Sequence, residues 1–315
     1  MQVLMLSGSD VERLLDPDAL LDALADAFKA LTEGAIVAPG RIGVTAGDAG
    51  FLLTMPAYRP GREIAVKMVS VFHGNEAHGL PAHQALVCLF DGQTGTPLCV
   101  MDGTSITALR TAGAAALSIR ALARDDARVL AIVGAGVEGA SHLKMAPRVR
   151  DFREIRIASQ RFDHAERLAA QDDRARAVAT VEEAVRGADV VCLCTNAAEP
   201  VMRGEWLSPG AHVTSVGYRP PGGELASDVI ERGHLFVETR RAFESPPVGC
   251  GELSGRDPTS GTEMGELLSG LQSGRNSWSE ITVYKAMGHA CEDMAAASLV
   301  YQRALQQGLG TAVSL

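Results

Sequence analysis

The stretch that most constrains this chain is Val129-Leu130-Ala131-Ile132-Val133-Gly134-Ala135-Gly136-Val137-Glu138-Gly139-Ala140. An apolar run of strand character breaks into G-x-G-x-x-G, and residues 140–145 read as helix. Gly134 permits a tight turn, Gly136 lets backbone approach a pyrophosphate, and Gly139 lets helix pack on strand. The helix N-terminus then offers bare N–H groups and the positive end of its dipole to phosphate oxygens. Because the glycines follow a strand and open a helix, Gly134, Gly136, Val137, Glu138 and Gly139 are expected to hold a dinucleotide; a ligand-free glycine turn is the alternative.

Downstream, the pattern alternates. Strands fit residues 129–133, 154–159, 177–180, 190–194, 211–216 and 235–237, with helices at 140–148, 163–170 and 181–186. That alternation predicts a parallel sheet with both faces covered. Upstream, Asp16-Pro17 marks a helix start, and Leu20, Leu21, Leu24, Phe28 and Leu31 follow at helical spacing until Gly34. Residues 41–101 read instead as strands joined by turns such as Asp91-Gly92, which predicts an antiparallel sheet. Helices fit 104–123 and 289–307. The expected class is α/β: a Rossmann dinucleotide-binding domain over 116–294, plus an α+β domain made of 1–115 and the returning segment 295–315.

Composition narrows the partners. A net charge of −9 argues against a nucleic-acid or anionic-membrane surface. The six cysteines contain no C-x-x-C pair, and Cys192 and Cys194 alternate within an apolar strand as packed thiols. That usage suits a reducing cytoplasm rather than a disulfide scaffold or a zinc cage. Residues 1–6 lack a basic flank, and no apolar run reaches membrane-spanning length, so a soluble intracellular protein is expected.

NAD sites usually place a carboxylate at the tip of the second strand, on the ribose 2′-hydroxyl. Here that tip reads Ser159-Gln160-Arg161, and the first acid is Asp163. Ser159, Gln160 and Arg161 suit a 2′-phosphate, which favours NADPH; NADH is the alternative, with Arg161 a solvated surface residue.

Three cations sit at positions poor for solvation. Arg41 follows Pro39-Gly40, Lys67 lies inside an apolar strand, and Arg110 opens an otherwise apolar helix. A buried cation is costly unless paired, so such residues often hold an anionic ligand; the alternative is pairing with Asp91, Asp102 or another acid. His73, His78 and His83 recur every five residues, which suits neither a helix face nor a strand face, and no metal site is expected.

Taken together, these landmarks resemble the ornithine cyclodeaminase/mu-crystallin family along nearly the whole chain. The resemblance is carried by Arg41, Met55-Pro56-Ala57-Tyr58, Lys67 with Asn75, Gly79-Leu80-Pro81-Ala82-His83, residues 91–97 and Thr107-Ala108-Leu109-Arg110-Thr111. It continues through Gly134–Gly139 with His142, Trp206-Leu207-Ser208-Pro209-Gly210, residues 280–285, Gly288 and Glu292-Asp293. It implies an NAD(P)-dependent enzyme acting on α-amino acids or their imines, a small-molecule substrate, and a homodimer paired through the non-Rossmann domain, which also binds substrate. Arg41 and Arg110 would grip the substrate carboxylate. Lys67 would lie beside the reacting carbon and nitrogen, with Lys67 or His83 as proton donor. Thr111, Thr195, Asn196, Val216, Gly217, Lys285 and Gly288 would join the glycine loop around the cofactor, Gly217 facing the nicotinamide.

Two departures select within the family. Cyclodeaminases and the related alanine dehydrogenases carry an aspartate two residues after the glycine at Gly217; this chain reads Gly217-Tyr218-Arg219, and Glu224-Leu225-Ala226 replaces Glu-Leu-Asp. Lys285 matches the mu-crystallin-like reductases, where cyclodeaminases tend to carry Asp. Oxidising an amine needs a base, whereas reducing an imine needs a bound iminium carbon, a hydride and a proton source. A site short of its aspartate and rich in cations is expected to be an NADPH-dependent reductase of cyclic or N-substituted ketimine carboxylates. The alternatives are an ornithine cyclodeaminase, an alanine-dehydrogenase-like or opine-like amino-acid dehydrogenase, and a non-catalytic cofactor-binding protein.

Overall fold

The computed structural model describes residues 2–314, apart from the side chains of His73 and Glu76. The expectation for the His73 side chain therefore lies outside the described residues. The chain divides into two compact units, Met1–Arg110 with Gly288–Leu315, and Thr111–Met287. These boundaries fall at 110 and 287, where the sequence pattern suggested 115 and 294. The helix running through the first boundary is uninterrupted, so no break in periodicity marks it.

The first unit opens with β1 (Gln2–Leu6), α1 (Gly8–Leu14) and α2 (Pro17–Thr32). Asp16 caps α2 by accepting from the Ala19 N–H at 2.9 Å, and Leu20, Leu21, Leu24 and Phe28 are buried along one stripe. A run of strands follows: β2 (Ile42–Ala46), β3 (Gly50–Tyr58), β4 (Ile64–Val71), β5 (His83–Phe90) and β6 (Pro97–Asp102). Helix α3 (Gly103–Leu122) then carries the chain into the second unit. Strands β2 to β6 pair antiparallel throughout, as expected for residues 41–101, and β1 then joins β6 in parallel. Nothing in the short run Gln2–Leu6 reveals that partner some ninety residues away.

The second unit contains β7 (Val129–Val133), α4 (Val137–Met145), β8 (Glu154–Ala158), α5 (Phe162–Ala169), β9 (Ala175–Ala177), α6 (Val181–Val185), β10 (Val190–Leu193) and β11 (His212–Ser215). It continues with α7 (Ser227–Arg232), β12 (Gly233–Val237), β13 (Gly261–Glu263), α8 (Met264–Leu268) and β14 (Ile281–Lys285). All its strands pair in parallel, in the order β13-β12-β14-β11-β10-β7-β8-β9. From β9 to β11 this is the order 3-2-1-4-5 of a Rossmann sheet, with its switch point between β7 and β10. Alternate side chains feed two apolar layers: Ala131, Val133, Val191 and Leu193 on one side, Leu130, Ile132, Val190 and Cys192 on the other. Cys194 joins Cys192 in the second layer. The strand expected at 177–180 ends at Ala177 instead, because Thr180 caps α6 by accepting from the Glu183 N–H at 3.1 Å.

The first unit is completed by α9 (Ala290–Gln307) and β15 (Thr311–Ser314), the latter antiparallel to β1. Helix α9 packs against α2 and across β3, β4 and β5. Among the described residues no helix is long and apolar enough to cross a membrane.

Candidate active site

In the first unit, Lys67 lies on β4 on the same face as the buried Ala65 and Val71, the face that α9 covers. Packing α9 there sets two carboxylates against it. Asp293 Oδ1 accepts from Lys67 Nζ at 2.8 Å and from Arg110 Nε at 3.0 Å, and Glu292 Oε2 accepts from Arg110 at 3.0 Å. The other Glu292 oxygen accepts the His289 N–H at 2.8 Å, closing the capping box that starts α9. Arg41 donates to the Gly288 carbonyl at 2.8 Å.

Asp91 and Asp102, the nearer acids in sequence, are engaged in local turns. Asp91 accepts from the Gln93 and Thr94 N–H groups, and Asp102 accepts from the Ser105 N–H. Glu292 and Asp293 were visible only as part of the family pattern. An acid-acid pair in the first turn of a helix was the local signal, and their partners lie 182 to 226 residues away.

Arg41, Lys67 and Arg110 are thus gathered with Glu292 and Asp293 at the start of α9. Lys67, Arg110, Glu292 and Asp293 are all buried. Burial first, and the Arg110 charge second, push the Lys67 ammonium down to about 8 despite its Asp293 partner.

His83 stands apart from this cluster. It opens β5, exposed and opposite Val71, while Lys67 pairs with Val87. Four residues of strand separate the two levels, about 13 Å along the sheet. Gly288, expected beside the cofactor, lies in the first unit against the Arg41 and Arg110 side chains.

In the second unit, Gly134 takes φ +109° and donates to the Ala158 carbonyl at 2.8 Å, turning the chain back from β7. A Cβ at Gly134 would strike the Cys194 carbonyl, and one at Gly139 would strike the Gly134 carbonyl. At Gly136 a Cβ would meet nothing within 4 Å, so the space beside it is open. Gly136 is also the N-cap of α4 with no side-chain cap, while Val137 is exposed. Two glycines needed for packing and one beside an open helix N-terminus fit a bound pyrophosphate. His142 is not an acid here: its Nδ1 bonds the Glu138 carbonyl at 2.7 Å, and burial lowers its pKa to about 4.

At the tip of β8, Arg161 grips Asp163 through two bonds of 3.2 and 2.9 Å, and Arg167 reaches the same carboxylate at 3.0 Å. Ser159 is half-buried and Gln160 exposed beside them. Arg167, one helical turn after Asp163, was missed in the sequence reading; its i,i+4 spacing was the available signal.

The carboxyl ends of β10, β11 and β14 are tied together from below. Glu224, fully buried, accepts from the Thr195 N–H and hydroxyl at 2.6 and 2.7 Å through one oxygen. Its other oxygen accepts from Ser215 Oγ, Val216 N and Gly217 N at 2.9, 3.1 and 2.7 Å. Lys285, the last residue of β14, donates to the Gly217 carbonyl at 2.7 Å, Glu252 at 2.8 Å and Ser215 Oγ at 3.2 Å. Lys285, expected to touch cofactor, has its ammonium engaged in this support. Thr111 is buried on α3, and Asn196 is exposed with its carbonyl accepting from Arg219 at 2.8 Å. Asp228 accepts the Gly204 N–H at 2.7 Å, a structural bond.

A Rossmann unit with an open glycine-loop helix, together with a unit carrying a buried cluster of paired cations and carboxylates, defines a two-unit dinucleotide oxidoreductase. The chain belongs to the ornithine cyclodeaminase/mu-crystallin family, whose profile matches residues 1–308. Ketimine reductase mu-crystallin of Mus musculus is 38% identical over 307 residues, covering 94% of this chain and 96% of that protein. The structure of Thermococcus litoralis Delta(1)-pyrroline-2-carboxylate reductase with NADH and L-proline superposes with a TM-score of 0.92 at 31% identity, over 98% of this chain and 99% of that one. An archaeal alanine dehydrogenase dimer with bound NAD superposes with a TM-score of 0.88 at 28% identity, over the full length of both chains.

Proposed function

We propose that this chain is an NADPH-dependent reductase of cyclic or N-substituted ketimine carboxylates, such as pyrroline-2-carboxylate or piperideine-2-carboxylate, and that it works as a homodimer. The observation that carries this reading is the gathering of Arg41, Lys67 and Arg110 with Glu292 and Asp293, in a family whose relatives include a ketimine reductase and a pyrroline-2-carboxylate reductase. The substrate carboxylate would bind at these cations. Arg41 and Arg110 hold it, and their guanidinium planes fix the carbon beside it.

When bound, the reduced nicotinamide supplies a hydride to the imine carbon. Lys67 supplies the proton: its ammonium gives H⁺ to the nitrogen and keeps the electron pair, while solvent restores the proton afterwards. A pKa of about 8 keeps Lys67 charged near neutrality and poised to release that proton. Lys67 takes this role rather than His83, which stands several residues along the sheet. Arg219, where a cyclodeaminase-type aspartate would stand, leaves that position without a carboxylate base. The dinucleotide lies on Gly134, Gly136, Val137, Glu138 and Gly139, with Thr195, Asn196, Val216 and Gly217 toward the nicotinamide half.

NADPH is favoured because two guanidiniums, Arg161 and Arg167, share the Asp163 carboxylate near the β8 tip and could turn to a 2′-phosphate. NADH is the second reading, supported by the cofactors in the two solved relatives. The test is to follow NADPH and NADH absorbance with pyrroline-2-carboxylate, piperideine-2-carboxylate, and pyruvate plus amines. Turnover of ornithine to proline with catalytic NAD⁺, and none with the imines, would refute the reductase assignment.

A further inference from the structure

The array of Glu224, Glu252 and Lys285 goes beyond holding two loops in place. We propose that it acts as a fixed buried charge of −1 that favours the oxidised, cationic nicotinamide over the reduced, neutral one, so that the protein promotes hydride donation. This rests on the dinucleotide reading above.

Its placement follows from topology. In an open parallel sheet the ligand lies outside the carboxyl ends of the strands, at the switch point. Here that point is between β7 and β10. The glycine loop follows β7 and Ser159–Arg161 follow β8, so one half of the edge is assigned to pyrophosphate and adenosine ribose. The other half, the ends of β10, β11 and β14, is where Glu224 and Lys285 converge on Thr195, Val216 and Gly217.

Its charge follows from hydrogen bonding. The Thr195, Val216 and Gly217 N–H groups can only donate, and they address both Glu224 oxygens, so Glu224 accepts as a carboxylate. The Ser215 hydroxyl, taking the Lys285 ammonium on its oxygen, also donates to Glu224. Lys285 forms one ion pair, with Glu252 at 2.8 Å. Two carboxylates against one ammonium leave −1. Neighbouring groups do not cancel it: burial pushes the Cys250 thiol up to about 11, which keeps it neutral. Arg256 donates to the Glu252 carbonyl and pairs with Glu231, and Arg219 bonds the Asn196 carbonyl.

Loss of hydride gives the nicotinamide ring a unit positive charge. Glu224, Glu252 and Lys285 keep the same charge before and after, so their field stabilises the oxidised form selectively. In a poorly solvated site such a field acts with little screening.

Equilibrium binding of NADP⁺ and NADPH, read by fluorescence titration without any imine, tests this. The parent should bind both; failure to bind either overturns the dinucleotide reading itself. Glu252→Gln removes the net charge, and Kd(NADP⁺)/Kd(NADPH) should rise by roughly tenfold. The double variant Glu252→Gln/Lys285→Met keeps −1 on Glu224 and should return to the parent ratio. Lys285→Gln alone should lower the ratio, which decides the matter if Glu252→Gln does not fold. An unchanged ratio in the single variants, or a double variant that follows Glu252→Gln, would overturn the proposal while leaving the dinucleotide site intact.

Discussion

The Arg110 guanidinium occupies the volume that a side chain at Gly288 would need: a Cβ there would lie 2.5 to 2.9 Å from three of its atoms. Gly288 also has φ +77°, and its carbonyl holds Arg41. One glycine thus sets the spacing of both proposed carboxylate-binding arginines. Gly288→Ala should raise the KM for the imine carboxylate by at least about tenfold, and left-handed backbone strain adds roughly 1–2 kcal/mol of lost stability. NADPH affinity, measured by fluorescence, should stay near the parent value; equal losses of both ligands would contradict this assignment of Gly288.

Lys67 gives a signed pH dependence. As proton donor it must be protonated, and in the free protein its pKa is about 8. The kcat/KM profile should be level below that value and fall about tenfold per pH unit above it. A bound substrate carboxylate adds negative charge, so the corresponding limb in kcat should move to higher pH. Stability moves the other way. The unfolded chain binds more protons between about 8 and 10.5, so urea stability should increase with pH across that window. Lys67→Met should lose turnover with NADPH binding retained, and a folded, fully active variant would remove Lys67 from the mechanism.

The glycine loop separates binding from folding. Gly136→Ala meets open space and should keep the parent Tm within a degree or two, yet weaken NADPH binding by about tenfold or more as its methyl approaches the pyrophosphate. Gly139→Ala meets the Gly134 carbonyl and should destabilise the second unit, by about 1–3 kcal/mol. If calorimetry and titration found the two variants alike, the division of roles between these glycines would be wrong.

Cofactor choice rests on two guanidiniums rather than on one residue. Arg161→Asp or Arg167→Asp should each weaken NADPH at least about tenfold more than NADH, since each reverses a charge beside Asp163. Parallel loss of both cofactors would place the 2′-phosphate elsewhere, or favour NADH as the physiological partner.

Asp293 links two cations through one oxygen. Its removal strands buried charge, and Asp293→Ala should cost about 3–5 kcal/mol in thermal or urea unfolding. A loss below about 1 kcal/mol would mean that Lys67 and Arg110 find other partners.

Local sequence carries what local physics decides. Gly134 and Gly139 announce a turn and a helix start because a positive φ at the first, and the Gly134 carbonyl against the second, are demands that arise within a few residues. The period-3.6 stripe from Leu20 to Phe28, and the strands from Val129 to Leu193, were legible because each element must bury a face. The family pattern added Arg41, Lys67 and Arg110 as a set. Their counter-charges were not legible, since Asp91 and Asp102 are nearer in sequence yet serve their own turns.

The sequence by itself determined a Rossmann unit, a second sheet-plus-helix unit, and three cations at positions poor for solvation. Only the tertiary structure decided that Glu292 and Asp293 pair with Lys67 and Arg110, and that Glu224, Glu252 and Lys285 are joined beneath Gly217. The reason is physical: helix and turn preferences act over a few residues, whereas electrostatic pairing is set by whichever groups packing brings within about 3 Å, whatever their separation along the chain.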